Sequence, residues 1–114
     1  MAEETMKVNA ESQGGATIIS PEGDVDLGRS PTLRTSLRQA QTNKPQRLIV
    51  DLSQVDYMDS SGVATLVEAL QNARKGGTKM VLCGLKDRVR SIFEIARLDT
   101  VFTITESRDK AMTV

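Results

Sequence analysis

Two short apolar runs with an amphipathic segment between them constrain the fold of this chain most strongly. Residues 48–50 and 80–82 are continuously apolar, Leu-Ile-Val in the first run and Met-Val-Leu in the second, as is typical of strands buried on both faces of a sheet. Between them, apolar residues recur with the spacing of one helical face, at Val63, Leu66, Val67, Leu70 and Ala73. A strand, a helix and a second strand in this order predict a right-handed βαβ unit whose strands pair in parallel.

The remaining segments extend this unit in both directions. Segments 6–11 and 16–20 flank Gly14-Gly15, a pattern that predicts a β-hairpin. Ser30 and Asp87 are placed to cap two further amphipathic helices. A short last strand and a terminal helix are predicted over 101–104 and 106–112. Because no linker or repeat divides the chain, we expect one α/β domain over residues 1–114.

The residue types present exclude several kinds of chemistry. The chain has no histidine, so a Ser-His-Asp or Cys-His nucleophile cannot be assembled. Its one cysteine, Cys83, cannot form an internal disulfide or a zinc site of the usual Cys/His type, and it is expected to be a buried, unreactive strand residue. The glycine pairs lack the spacing of a nucleotide-binding loop. We therefore predict no cofactor, no metal and no enzymatic activity.

Charge and hydropathy limit the partners. The chain carries 15 basic and 15 acidic residues, so there is no surplus of positive charge to attract nucleic acid or an anionic membrane. No apolar run approaches the length of about eighteen residues that a membrane span needs. We expect no direct nucleic-acid binding, no membrane insertion and a cytoplasmic location.

The segment Asp59-Ser60-Ser61-Gly62 is the candidate functional motif, because two hydroxyls and a carboxylate stand where a loop turns into a helix. One interpretation is helix capping, for which Asp and Ser are the common residues. The other is phosphorylation, because a phosphate adds a charge of roughly −1.5 to −2 and a helix N-terminus tolerates negative charge.

Four sequence segments resemble the STAS-domain anti-sigma factor antagonists, small bacterial regulators. The resemblance is carried by Gly23-Asp24-Val25-Asp26, the long block 48–62, Gly76-Gly77, and Val89-Arg90-Ser91-Ile92-Phe93 with Leu98 and Phe102. It implies a mixed four- to five-stranded sheet with helices mainly on one face. The family often has Gly before the Leu that follows the third helix, whereas this chain has Arg97-Leu98.

The resemblance also implies the roles of individual residues. The phosphorylated residue of the family corresponds to Ser60, and Ser61 lines the same surface. Asp26 and Asp59 are expected to lie beside that serine. Asp26, Met58, Asp59, Ser61 and Gly62 together are the predicted phospho-site neighbours and partner surface. Met58 and Tyr57 are either core residues, which their position before a helix favours, or partner contacts.

The implied function is a phosphorylation-controlled partner switch that regulates transcription. Unphosphorylated Ser60 lets the domain bind an anti-sigma factor that is also its serine/threonine kinase, which releases a sigma factor, and a serine phosphatase reverses the modification. One alternative is a STAS-fold scaffold or accessory subunit, in a stressosome or a lipid-transport complex, without a phospho-switch. A hydrolase that uses Ser60 as nucleophile is disfavoured, because residues 58–62 form no Gly-x-Ser-x-Gly motif and no histidine base exists.

Overall fold

A five-stranded mixed sheet forms the centre of the structure, a computed structural model that describes residues 6–114. The strands lie in the order in which they occur in the chain; β1 pairs antiparallel with β2, and the other neighbours pair in parallel. Their bounds are β1 Lys7–Gln13, β2 Ala16–Glu22, β3 Arg47–Asp51, β4 Lys79–Cys83 and β5 Thr103–Thr105. The predicted hairpin, the parallel βαβ unit and the central position of β3 are confirmed. Residues 1–5 of the predicted domain lie outside the described residues.

Three helices cover one face of this sheet, as the family resemblance implies. Each connects two parallel strands: α1 is Ser30–Thr42, α2 is Ser60–Gly76 and α3 is Asp87–Ile95. The alternation of side chains along a strand directs Leu48, Val50 and Leu82 towards these helices, where they join the larger core cluster. No helix of residues 6–114 has the length and apolar character needed to cross a membrane.

The opposite face is covered by a short fourth helix, α4, Arg108–Ala111. Ile49, Val81 and Cys83 point to this side and pack with Ala111 in a second, smaller cluster. The guanidinium of Arg108 donates to the carboxylate of Asp51, which is almost completely buried, and also to Glu11 and Ser20. Arg47 donates to the carbonyl oxygens of Ala111 and Val114. These bonds fasten the C-terminal segment across the sheet.

Two predicted helix caps are wrong. Ser30 is the first residue of α1 and is buried, and no side chain caps this helix. The backbone N–H of Ser30 donates to the carbonyl oxygen of Asp26 (2.8 Å). Asp87 likewise lies inside the first turn of α3, where it makes no capping bond. An acid at that position still interacts favourably with the helix dipole. Both helices begin within a residue of the predicted position.

At the end of α3, Arg97 occupies the position where the STAS family often has glycine. Arg97 has a left-handed backbone, with φ at 58°. The N–H of Leu98 donates to the carbonyl of Phe93 (2.8 Å), and that of Arg97 donates to Glu94 (3.0 Å). This is the Schellman arrangement, in which glycine is usual at the left-handed position. The helix therefore ends as in a chain with glycine, but with an arginine in a conformation unfavourable for side chains.

Candidate functional site

Ser60 is positioned by two loops that run side by side beyond the ends of β2 and β3. Gly23 donates its N–H to the carbonyl oxygen of Gln54 (2.9 Å), and Val25 donates to that of Tyr57 (2.9 Å). The N–H of Asp59 donates to the carbonyl oxygen of Val25 (3.1 Å). Val25 and Met58 form a parallel bridge between these loops. The start of α2 is therefore fixed to the loop that follows β2.

Asp59 caps α2 and also holds the neighbouring loop. Its Oδ1 accepts the N–H groups of Ser61 (2.9 Å) and Gly62 (3.2 Å) and the hydroxyl of Ser61. Its Oδ2 accepts the N–H of Leu27 (3.1 Å). The bond from the Ser61 hydroxyl, together with these backbone N–H groups, lowers the pKa of the Asp59 carboxyl below its usual range despite its partial burial. Asp59 is thus a stable anion at neutral pH.

The two serines of the motif have different surroundings. Ser60 is exposed, and its hydroxyl takes part in no hydrogen bond with residues 6–114. Ser61 is half-buried, and its hydroxyl donates to Asp59. An enzyme approaching this surface can therefore reach the Ser60 oxygen without breaking a bond within the protein.

Two of the predicted surface residues lie below the surface. Met58 is fully buried in the main core, and Gly62 is buried against it. A Cβ atom at Gly62 would stand 2.6 Å from Cγ of Met58 and 2.8 Å from Cγ1 of Val25. The interpretation of Met58 as a core residue is confirmed, and the burial of Met58 and Gly62 does not support direct contact of either residue with a partner. They hold the start of α2 against the loop from underneath.

Asp26 lies one residue before Leu27 and is half-buried. Its carboxylate accepts the backbone N–H (3.1 Å) and the Nη1 of Arg29 (2.6 Å). Asp26 is connected to the Ser60 motif through Leu27 and Asp59. It shapes the loop that borders Ser60, and its charge is balanced by Arg29.

The surface around Ser60 has no metal-binding cluster and is separate from the larger grooves. Among residues 6–114, no three Asp, Glu, Cys or His side chains are grouped so that they could hold a metal ion. A groove of about 410 Å³ lies at the far end of α2, lined by residues that include Lys44, Lys75 and Thr78. It is formed at the opposite end of the helix from Ser60.

Comparison with known proteins settles the family. The family model of the STAS domain matches residues 7–111. The chain belongs to the STAS domain family. It is 34% identical over 82 residues to a Listeria monocytogenes protein named anti-sigma-B factor antagonist, and the match covers 72% of this chain and 72% of that protein. It is 28% identical over 106 residues to BtrV of Bordetella bronchiseptica, described as a candidate anti-sigma factor antagonist, over 93% of this chain and 91% of BtrV.

A solved structure supports the same fold. The crystal structure of an anti-sigma factor antagonist from Mycobacterium paratuberculosis superposes with a TM-score of 0.88 at 22% sequence identity. The match covers 95% of this chain and 92% of that protein. The resemblance identified from the sequence motifs is confirmed at the level of family and fold.

Two apolar residues are exposed in the loops that carry the Ser60 motif, and sequence reasoning considered Tyr57 but missed Leu27. Leu27 is 76% exposed and Tyr57 is 40% exposed. Of the two interpretations of Tyr57, the favoured one, core packing, is wrong, because Met58 points inward and its neighbour Tyr57 points outward. Leu27 stands between Asp26 and Gly28 in a turn, and that polar setting is the only sequence feature that indicates its exposure.

Proposed function

We propose that this STAS domain is an anti-sigma factor antagonist whose activity is switched by phosphorylation of Ser60. The names of its relatives from Listeria and Bordetella support the first part of the proposal. The exposed hydroxyl of Ser60, beside the half-buried and bonded hydroxyl of Ser61, carries the second part. The protein is then a binding partner and a kinase substrate rather than a catalyst.

The proposed partner is an anti-sigma factor that is also a serine/threonine kinase. The Ser60 oxygen attacks the γ-phosphorus of ATP bound by that kinase, ADP leaves, and the hydroxyl proton passes to a base on the kinase. This chain has no histidine to act as that base. While Ser60 is unphosphorylated, the complex holds the anti-sigma factor away from its sigma factor.

Phosphorylation changes the charge beside an existing anion, the Asp59 carboxylate. The phosphate adds a charge of roughly −1.5 to −2 directly after Asp59. The backbone N–H groups of Ser61 and Gly62, which would otherwise bind it, already donate to the Asp59 carboxylate. On the partner's side, the phosphate faces the ADP that the transfer leaves behind. Repulsion by both groups favours dissociation, and a serine phosphatase restores the binding form.

Mass spectrometry after incubation with ATP and the purified anti-sigma kinases of the source organism tests the proposal. We expect a single phosphate on the peptide that contains Ser60. Ser60→Ala should abolish it, and Ser61→Ala, the matched control, should keep it. A phosphate on Ser61, or on both serines equally, contradicts the assignment.

A binding measurement separates the switch from the scaffold alternative. Unmodified protein should bind the same kinase, and protein phosphorylated at Ser60 should bind it at least about tenfold more weakly, equivalent to about 1.4 kcal/mol. A stable complex without any phosphorylation favours a STAS scaffold, and equal binding of both forms contradicts the switch. Thermal melts of each variant check that the fold is intact.

A further inference from the structure

Leu27 is the most exposed large apolar side chain in the two loops that form the Ser60 surface, with 76% of its surface accessible. A single exposed leucine is ordinary on a folded protein, and Ile95, at the end of α3, is 84% exposed without adjoining the motif. What distinguishes Leu27 is its fixed backbone and its position beside the phosphate acceptor.

The backbone on both sides of Leu27 is held by hydrogen bonds. Its own N–H donates to Oδ2 of Asp59 at 3.1 Å. The preceding residue, Asp26, binds the backbone and the guanidinium of Arg29 through its carboxylate. Two residues before Leu27, Val25 is bonded to the loop that carries the motif. A backbone fixed in this way loses little conformational freedom when a partner covers the Leu27 side chain, so less binding free energy is spent on ordering the loop.

We propose that Leu27 is the apolar anchor through which the anti-sigma kinase binds this protein, and that Asp59 is the residue that positions it. The inference rests on the proposed function and adds a contact that phosphorylation of Ser60 does not require by itself. The kinase is expected to provide an apolar recess beside its nucleotide site.

The position of Leu27 makes this contact difficult to avoid. A stable protein interface covers about 800 Å² on each partner. Asp59 immediately precedes Ser60, and its carboxylate is bonded to the backbone of Leu27. A kinase that brings ATP to the Ser60 oxygen therefore also covers Leu27. A well-packed apolar anchor at the centre of an interface is where binding energy usually concentrates.

The anchor is tested with Leu27→Ala and the matched control Ile95→Ala, which removes a similarly exposed side chain elsewhere. Binding of each variant to the kinase that phosphorylates the wild-type chain is measured by titration calorimetry. We expect Leu27→Ala to weaken binding at least about tenfold and Ile95→Ala to remain within about twofold of wild type. Phosphorylation of Leu27→Ala should show a raised KM and an unchanged kcat, because Ser60 itself is intact.

The positioning role is tested with Asp59→Asn. Asparagine is as good a helix cap as aspartate, so its amide oxygen can accept the N–H groups of Ser61 and Gly62. Its amide nitrogen then replaces Oδ2 and cannot accept the N–H of Leu27. We expect α2 to stay folded, faster hydrogen exchange of the Leu27 amide, and weaker kinase binding. In the Leu27→Ala background, Asp59→Asn should add little further loss.

The outcomes separate this inference from the proposed function. If Leu27→Ala binds within about twofold of wild type, while phosphorylation of Ser60 still abolishes binding, the anchor is refuted and the switch stands. If losses from the two substitutions simply add, Asp59 acts independently of Leu27 and its positioning role is refuted. If the wild-type chain neither binds the kinases nor accepts phosphate from them, both the function and the anchor are refuted.

Discussion

Gly62 joins the start of α2 to the loop below it, and its replacement by alanine tests that contact directly. An added Cβ would lie 2.6 Å from Cγ of Met58, 2.8 Å from Cγ1 of Val25 and 3.0 Å from the carbonyl oxygen of Val25. Carbon atoms normally approach to about 3.5–4.0 Å. Met58 and Val25 are both fully buried, so neither side chain can turn into solvent to make room. The helix or the loop must move.

The expected cost follows from two opposing effects. Forcing a methyl group into a packed core costs about 1–3 kcal/mol. Alanine is a better helix former than glycine by up to about 1 kcal/mol, and the gain is smaller near a helix end. We therefore expect Gly62→Ala to lower the free energy of unfolding by about 1–2 kcal/mol. For a chain of this length, that corresponds to a fall in Tm of about 4–8 °C.

The same helix contains its own control. Gly76 is the last residue of α2, and a Cβ added there would meet no atom within 4 Å. Gly76→Ala should leave stability unchanged or raise it by up to about 1 kcal/mol. Urea unfolding followed by far-ultraviolet circular dichroism suits a chain without tryptophan. The packing argument is refuted if Gly62→Ala is as stable as wild type, or if both substitutions shift stability in the same direction.

Three further predictions concern stability and reactivity. Arg97→Gly should raise the free energy of unfolding by about 0.5–1 kcal/mol, because it removes an unfavourable left-handed conformation; a loss in urea unfolding would contradict this. Burial raises the pKa of the Cys83 thiol to about 12, so a thiol reagent should modify it only after unfolding, and rapid labelling of native protein would refute its burial. Arg108→Ala should cost about 2 kcal/mol at pH 7, because it leaves the almost fully buried Asp51 carboxylate without its cation; this is less than for a fully buried pair, since solvent screens the partly exposed Arg108. Burial opposes ionisation of Asp51, but bonds from Arg108 and Ser53 outweigh it and lower its pKa. This stabilisation is therefore present above about pH 4 and is lost as pH falls further, and urea unfolding of both proteins at pH 3 should show a smaller difference.

The fold could be predicted because its determinants are local in the sequence. The runs at 48–50 and 80–82 place a strand on each side of an amphipathic helix, and Gly77 ends that helix with φ at 74° as expected for a glycine cap. The caps at Ser30 and Asp87 could not be predicted in the same way. Whether a hydroxyl or carboxylate caps a helix depends on how the preceding loop enters it, and the bonds of Asp26 determine that entry for α1.

The covering of the second sheet face depends on residues far apart in the chain. Arg108 reaches Asp51, 57 positions away, and Glu11, 97 positions away. No local sequence pattern around Arg108 indicates that its partners are Asp51 and Glu11. The predicted terminal helix is confirmed. That this helix closes the second cluster over Cys83 could be recognised only from the tertiary structure.

In the candidate site, too, the contacts between sequence neighbours could be predicted and the contact between distant residues could not. The motif identifies Asp59 as a cap because a cap and its amides are neighbours in sequence, and the structure agrees. The second oxygen of the same carboxylate binds Leu27, 32 positions away, and this bond makes an exposed leucine part of the Ser60 surface. A carboxylate has two oxygens that can each accept hydrogen bonds, so a residue recognised for one local role can also connect distant segments. Substitution of Asp59, which the sequence identifies as a helix cap, can therefore measure how much the fixed position of Leu27 contributes to binding of the kinase.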